Sequence, residues 1–188
     1  MEEGGKCDAA AVNGGAIRID DRIPPGALTR HRVAELFLFP NRLSRLRLRG
    51  KTLAALLDRA AGQRGRGGFL HLSGVQVAYA PWAAKGRRAR EIRVGGARLD
   101  PDRDYTFCTL DYLARGGDGY RMLASEGALI EADAGDPQEM LIGLLRRRGR
   151  VSPQVEGRIR FLPPPGSGAI APPPPARPIS RGRGPVVK

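Results

Sequence analysis

Alternation of apolar and charged residues predicts a strand and the helix that follows it. Leucine and arginine alternate strictly from residue 45 to residue 49, which is the two-residue period of a strand with one buried face. Leucine and alanine then recur at the i, i+3, i+4 and i+7 spacing of an amphipathic helix, at Leu53, Leu56, Leu57 and Ala60. We therefore expect a half-buried strand running directly into a helix that packs on the same core.

Capping residues predict two further helices. Thr29 can cap a helix that extends through Phe37. Asp136 can cap a second helix with Pro137 at its first position, and Gly149 ends it. The second helix has apolar residues on one face, at Met140, Leu141, Leu144 and Leu145.

Shorter apolar runs predict the remaining strands. They cover residues 9–12, 69–72, 75–79, 105–109 and 157–161. Ser73-Gly74 predicts a bend or bulge between two of these runs, and Gly95-Gly96 predicts the turn of a hairpin over residues 91–99. Together these elements predict an α+β fold, with a mixed sheet that contains hairpins and is packed by helices.

Composition divides the 188 residues into three parts. Residues 163–188 hold nine prolines and no acidic residue, so we expect a disordered tail. Residues 1–8 are expected to be a disordered N-terminus, without the pattern of a signal peptide. Residues 9–162 contain every aromatic residue and are long enough for one folded domain. No apolar run reaches the length of a transmembrane helix, so no membrane association is expected.

The chain is strongly basic, with a net charge of +13. Such a balance indicates either an anionic partner such as nucleic acid or base bias in an arginine-rich coding sequence. The two histidines, His31 and His71, are expected to be structural, and no Cys/His spacing resembles a zinc site. Cys108 lies within a predicted strand and is expected to be a buried thiol.

Three loops next to predicted elements carry candidate ligand contacts. Residues 13–18 (NGGAIR) combine glycines that let backbone approach a ligand with an arginine suited to a phosphate. Residues 38–41 (LFPN) place an aromatic ring between a helix and a strand. Residues 111–120 (DYLARGGDGY) place an aromatic six residues before an aspartate in a glycine-rich turn. Each loop alone is more often an ordinary turn or part of the core.

In this order and spacing, the loops resemble the C-terminal domain of the 5'-nucleotidase family. The resemblance implies that Asn13 contacts the base, Arg18 the phosphate and Asp118 the ribose hydroxyls. It also implies that the rings of Phe39 and Tyr112 stack on opposite faces of the base. Asn41 and Gly117 complete the substrate-binding residues. Ala16, Pro40 and Tyr112 depart from the usual family residues without removing the expected contacts.

The resemblance further implies a metallophosphoesterase domain that uses two divalent metals, and we expect that domain to lie outside this chain. We also expect the first helix of the C-terminal domain to be missing. The chain would then be a fragment, a mis-started reading frame or one half of a split protein, with no catalytic residue or cofactor of its own. The predicted function is therefore recognition of a nucleotide or nucleoside phosphate. A basic nucleic-acid-binding protein and a non-binding fragment are the alternatives.

Overall fold

The computed structural model describes residues 7–19 and 23–167. Within them the strands are β1 (Ala9–Asn13), β2 (Leu43–Arg49), β3 (Leu70–Ser73), β4 (Val75–Tyr79), β5 (Ala89–Val94), β6 (Ala97–Arg98), β7 (Asp104–Leu110), β8 (Ala128–Glu131) and β9 (Ile159–Phe161). The α-helices are α1 (Arg30–Ala34), α2 (Gly50–Ala61), α3 (Asp111–Ala114), α4 (Arg121–Glu126) and α5 (Pro137–Arg148). The fold is the expected α+β class, with mixed sheets, a hairpin formed by β5 and β6, and packed helices.

The strands form two sheets rather than one. The first has the order β3-β1-β7-β2-β8, and the second has the order β6-β5-β4-β9. The chain passes from the first sheet to the second between Ser73 and Val75, where the sequence predicts only a bend or bulge within one strand. Ser73-Gly74 suits both a bend within one strand and a passage between two sheets. Only the strands that pair with β3 and β4 distinguish the two cases.

The core lies around α2, which packs against β2 of the first sheet and β5 of the second. Leu53, Leu56 and Leu57 are completely buried on the face that the helical periodicity predicts. On β2, Leu46 and Leu48 are buried while Arg47 and Arg49 are exposed, as the alternation requires. Burying such leucine side chains stabilises the fold by about 1.5–3 kcal/mol each.

The terminal helices differ in part from their predicted form. Thr29 caps α1 by accepting from the backbone N–H of Arg32, but α1 ends at Ala34 rather than Phe37. Asp136 caps α5 by accepting from two backbone N–H groups, and Gly149 follows its last residue. Ile142 is the buried residue of α5, while the four predicted face residues are only half-buried. Within the described residues, no helix combines the length and apolarity needed to cross a bilayer.

Two expectations near the N-terminus need correction. Cys108 is not a free buried thiol, because it forms a disulfide with Cys7 across 101 residues of sequence. Asp8 accepts a hydrogen bond from the backbone N–H of Thr106 at 2.8 Å. Cys7 and Asp8 therefore contact β7 rather than forming the end of a disordered segment. Residues 1–6 of that predicted segment, and residues 168–188 of the predicted tail, lie outside the described residues.

Candidate functional site

Strand direction brings the three candidate loops to one end of the first sheet. β1 and β7 are parallel neighbours, so the loops that follow Asn13 and Leu110 leave the sheet at the same end. β2 is antiparallel to β7, so the segment that enters β2 at Leu43 lies at that end too. This segment carries Phe39 and Asn41. The topology thus collects residues separated by about a hundred positions in sequence.

Asp118 is the centre of the first group of candidate residues. Its Oδ2 accepts a hydrogen bond from Asn13 Nδ2 at 2.8 Å. Its Oδ1 accepts a hydrogen bond from the Tyr112 hydroxyl at 2.9 Å. The same hydroxyl accepts from the backbone N–H of Asp118 at 3.1 Å. Both carboxylate oxygens are therefore held by neighbouring side chains, and each retains a lone pair for a further donor.

Asn13 is the last residue of β1 and is 5% exposed. Its Oδ1 is buried and accepts no hydrogen bond from the described residues. A buried acceptor without a partner is uncommon and costs free energy. In this conformation the amide is directed to Asp118, whereas the family resemblance assigns it to the base.

Gly117 provides the space in which the ring of Tyr112 lies. A Cβ at position 117 would be 2.5 Å from Cε1 and Cζ of that ring, which is closer than real Cβ contacts allow. Tyr112 is 42% exposed, so one part of its ring packs on Gly117 and the rest faces solvent. The absence of a side chain at Gly117 therefore allows the ring to lie beside the carboxylate, and a contact of Gly117 with the substrate stays a prediction.

Arg18 and Phe39 form the second group. The guanidinium of Arg18 lies 5.5 Å from the centre of the Phe39 ring, within cation–π distance. The backbone N–H of Arg18 donates to Leu36 O at 3.0 Å, which ties the two loops together. Phe39 is 50% exposed and is therefore not a core residue. Asn41 is half-buried, and its backbone N–H closes a turn on Phe39 O.

A pair of hydrogen bonds joins the two groups. The backbone N–H of Asp111 donates to Arg42 O at 2.8 Å, and the backbone N–H of Arg42 donates to the Asp111 carboxylate at 3.1 Å. These bonds fix the Phe39 loop beside the start of α3, which carries Tyr112. The ring–ring contacts of the described residues lie elsewhere, around Phe69, so the rings of Phe39 and Tyr112 do not stack on each other.

Two residues that hold the Asp118 turn on the protein were not predicted from the sequence. Arg59 of α2 donates to Asp118 O from Nη2 at 2.6 Å and from Nε at 3.3 Å. Tyr120 is completely buried and donates to Gly68 O at 2.7 Å. Burial raises the pKa of Tyr120 well above its ordinary value, so the hydroxyl remains protonated as a donor. Arg59 gives no sequence signal, because an arginine in the last turn of a helix is common for electrostatic reasons alone.

Comparison with known proteins identifies the family of the chain. The family model described as 5'-nucleotidase, C-terminal domain, matches residues 1–125. The chain belongs to the 5'-nucleotidase C-terminal domain family. The resemblance inferred from the three loops is thereby confirmed.

Relatives show how much of a longer protein the chain matches. Snake venom 5'-nucleotidase from Macrovipera lebetinus is 29% identical over 164 residues, which is 80% of this chain and 40% of that protein. Human 5'-nucleotidase is 31% identical over 163 residues, which is 80% of this chain and 28% of that protein. The chain therefore spans well under half the length of these relatives.

Solved structures agree on the fold. The structure of the 5'-nucleotidase precursor from Thermus thermophilus superposes with a TM-score of 0.75 and 29% identity. That match covers 83% of this chain and 32% of the other. NAD nucleotidase from Haemophilus influenzae has a TM-score of 0.70 at 21% identity, covers 82% of this chain and 30% of that protein, and supports the fold alone.

Proposed function

We propose that this domain binds a nucleotide through its base and ribose and so supplies the substrate specificity of a 5'-nucleotidase-type phosphohydrolase. The observation that carries the proposal is the placement of a half-exposed aromatic ring, that of Tyr112, directly beside the carboxylate of Asp118. A ring and a carboxylate at this spacing suit a nucleoside, because the base offers a π-face and the ribose offers hydroxyl donors.

The second aromatic ring and a cation support the same assignment. Phe39 is half-exposed at the same end of the sheet, so the part of its ring that Arg18 does not cover can contact the other face of a base. Arg18 lies over that ring, and its guanidinium can donate two parallel hydrogen bonds to a phosphate. The base, ribose and phosphate of one ligand would thus each meet a group of matching chemistry.

We assign the hydrolytic chemistry to a metallophosphoesterase domain outside this chain, in which two divalent metals would activate the attacking water. Among the described residues, no three His, Cys, Asp or Glu side chains are grouped so that they could hold a metal ion. The contribution of this domain would be to orient the nucleotide, with its phosphate directed away from Asp118.

A binding comparison tests the proposal. Ligand-observed NMR measures the affinity of the chain for a ribonucleoside monophosphate, its nucleoside and the 2',3'-dideoxy nucleoside. Asp118→Ala should weaken the ribonucleoside about tenfold and leave the dideoxy analogue nearly unchanged, since hydrogen bonds to a charged group contribute about 1.5–3 kcal/mol. Arg18→Ala should weaken the monophosphate more than the nucleoside.

Asp102→Ala and Arg98→Ala are the matched controls, because both side chains are exposed. Asp102 precedes β7, at the end opposite the candidate loops, and Arg98 lies on β6 of the second sheet. Neither control should change any of the three affinities. The proposal would be contradicted if the control substitutions weakened mononucleotide binding as much as Asp118→Ala and Arg18→Ala do. Preference for polynucleotides with a steep salt dependence would instead favour a nucleic-acid-binding protein.

A further inference from the structure

The turn that carries Asp118 is held in an unusual backbone conformation. Gly116, Asp118 and Gly119 have φ values of +92°, +51° and +74°, all in the left-handed region. For a residue with a side chain this conformation costs about 1–2 kcal/mol, although aspartate adopts it more readily than most. Such a turn persists only where its surroundings stabilise it.

Arg59 is the residue that stabilises this turn from outside. Its two hydrogen bonds converge on one atom, the carbonyl oxygen of Asp118. Its guanidinium also lies 5.4 Å from the centre of the Tyr120 ring, which is completely buried. The cation is therefore fixed on one side by a core aromatic residue and on the other by the backbone of the site.

Gly119 leaves room for the guanidinium beside the turn. A Cβ at position 119 would lie 2.0 Å from Arg59 Nη2, so a side chain there would displace the guanidinium from its present position. The last glycine of the Gly-Asp-Gly turn is thus explained by Arg59 as well as by its own backbone conformation. This contact belongs to α2, an element that contributes none of the other candidate site residues.

We infer that Arg59 is a positioning residue that sets how well the domain distinguishes ribose from deoxygenated sugars. By holding the carbonyl of Asp118, it keeps the carboxylate of the same residue in hydrogen-bond contact with Asn13 and Tyr112. In this proposal Arg59 acts through the backbone of Asp118. The inference rests on the proposed function, since it concerns the same carboxylate.

The test compares Arg59→Ala and Arg59→Lys with the unmodified chain and with Arg64→Ala. Arg64 is the matched control, because its guanidinium also lies over an aromatic ring, but that ring belongs to Phe161 of β9 rather than to the Asp118 turn. Ligand-observed NMR gives the ratio of affinities for a ribonucleoside and its 2',3'-dideoxy analogue. Arg59→Ala should lower this ratio at least about threefold, the equivalent of one lost hydrogen bond, with the dideoxy affinity unchanged.

Arg59→Lys keeps the charge and can donate one hydrogen bond to the Asp118 carbonyl, so the ratio should lie between those of Arg59→Ala and the unmodified chain. Arg64→Ala should leave the ratio as it is in the unmodified chain. If Arg59→Ala lowers the melting temperature but leaves the ratio of ribonucleoside to dideoxy affinity unchanged, Arg59 is only structural and the inference is overturned.

A ligand-free measurement separates this inference from the proposed function. The backbone N–H of Asp118 donates to the Tyr112 hydroxyl, so its hydrogen exchange reports whether the turn keeps its conformation. Exchange should be faster in Arg59→Ala than in the unmodified chain and unchanged in Arg64→Ala, whether or not a nucleoside binds. An exchange rate in Arg59→Ala equal to that of the unmodified chain would overturn the inference, whereas absence of nucleoside binding to the unmodified chain would overturn the proposed function.

Discussion

Replacing Phe39 by alanine should weaken nucleoside binding and cost less stability than replacing a phenylalanine of the core. Phe39 is 50% exposed in the loop before β2, whereas Phe107 on β7 is 1% exposed. The two substitutions remove the same atoms from the same fold. Comparing them therefore tests whether the Phe39 ring contacts a ligand or packs in the core.

The expected cost in stability follows from the buried area. A phenylalanine side chain buries about 200 Å² when fully enclosed, so a half-exposed ring buries about 100 Å². At about 25 cal/mol per Å² this area corresponds to about 2.5 kcal/mol, and residual burial in the unfolded chain lowers it to about 1.5–2 kcal/mol. Phe107→Ala also leaves a cavity and should cost about 3–5 kcal/mol.

Chemical denaturation measures the free energy of unfolding of both variants, and ligand-observed NMR measures their affinity for a nucleoside. Phe39→Ala should lose about 1–3 kcal/mol of binding free energy, the contribution of one stacked base. Phe39→Leu is a useful third variant, because it keeps apolar contact but removes the π-face. The reasoning is refuted if Phe39→Ala destabilises the fold as much as Phe107→Ala while nucleoside affinity stays the same.

Three further outcomes are expected. Asp58→Asn should lower the free energy of unfolding by about 2–3 kcal/mol in chemical denaturation, because this buried carboxylate accepts three backbone hydrogen bonds from the 86–89 segment; a loss below about 0.5 kcal/mol would contradict this. Burial raises the pKa of Tyr79 and Tyr120 above the ordinary 10.0, so their contribution to stability should be complete below about pH 10 and decline as the pH rises further. Ultraviolet titration should show both ionising only with unfolding, and ionisation near pH 10 in the folded chain would be the opposite result. Tyr112→Phe keeps the ring for base stacking but removes the hydroxyl that donates to Asp118, so ligand-observed NMR should show ribonucleoside affinity lowered by no more than about tenfold; a larger loss would contradict this.

Local patterns in the sequence were sufficient for the elements that form the centre of the core. The buried face of β2 follows from its strict alternation, and that of α2 from the spacing of Leu53, Leu56 and Leu57. Each spacing is the repeat that puts side chains of one element on the same face, so it indicates burial directly. The caps of α1 and α5 were equally predictable, since a cap depends on residues within one turn.

Long-range pairing accounts for what the sequence did not predict. Whether β3 and β4 belong to one sheet depends on partners far away in the chain, as does the contact of Cys7 with Cys108. Strand β8 was not predicted, and three of its four residues are exposed, so it lacks a clear burial pattern. Arg59 could not be assigned to the site, because its link to Asp118 spans 59 residues and depends on how α2 packs.

The most direct test of the central claim is a set of intermolecular nuclear Overhauser effects between the chain and a bound nucleotide. The ligand is the ribonucleoside monophosphate that binds best among those with the common bases. The account predicts contacts from base protons to the rings of both Phe39 and Tyr112, and from ribose protons to the Asp118 turn. Contacts to arginine side chains on the β5–β6 hairpin, with none to either ring, would contradict it.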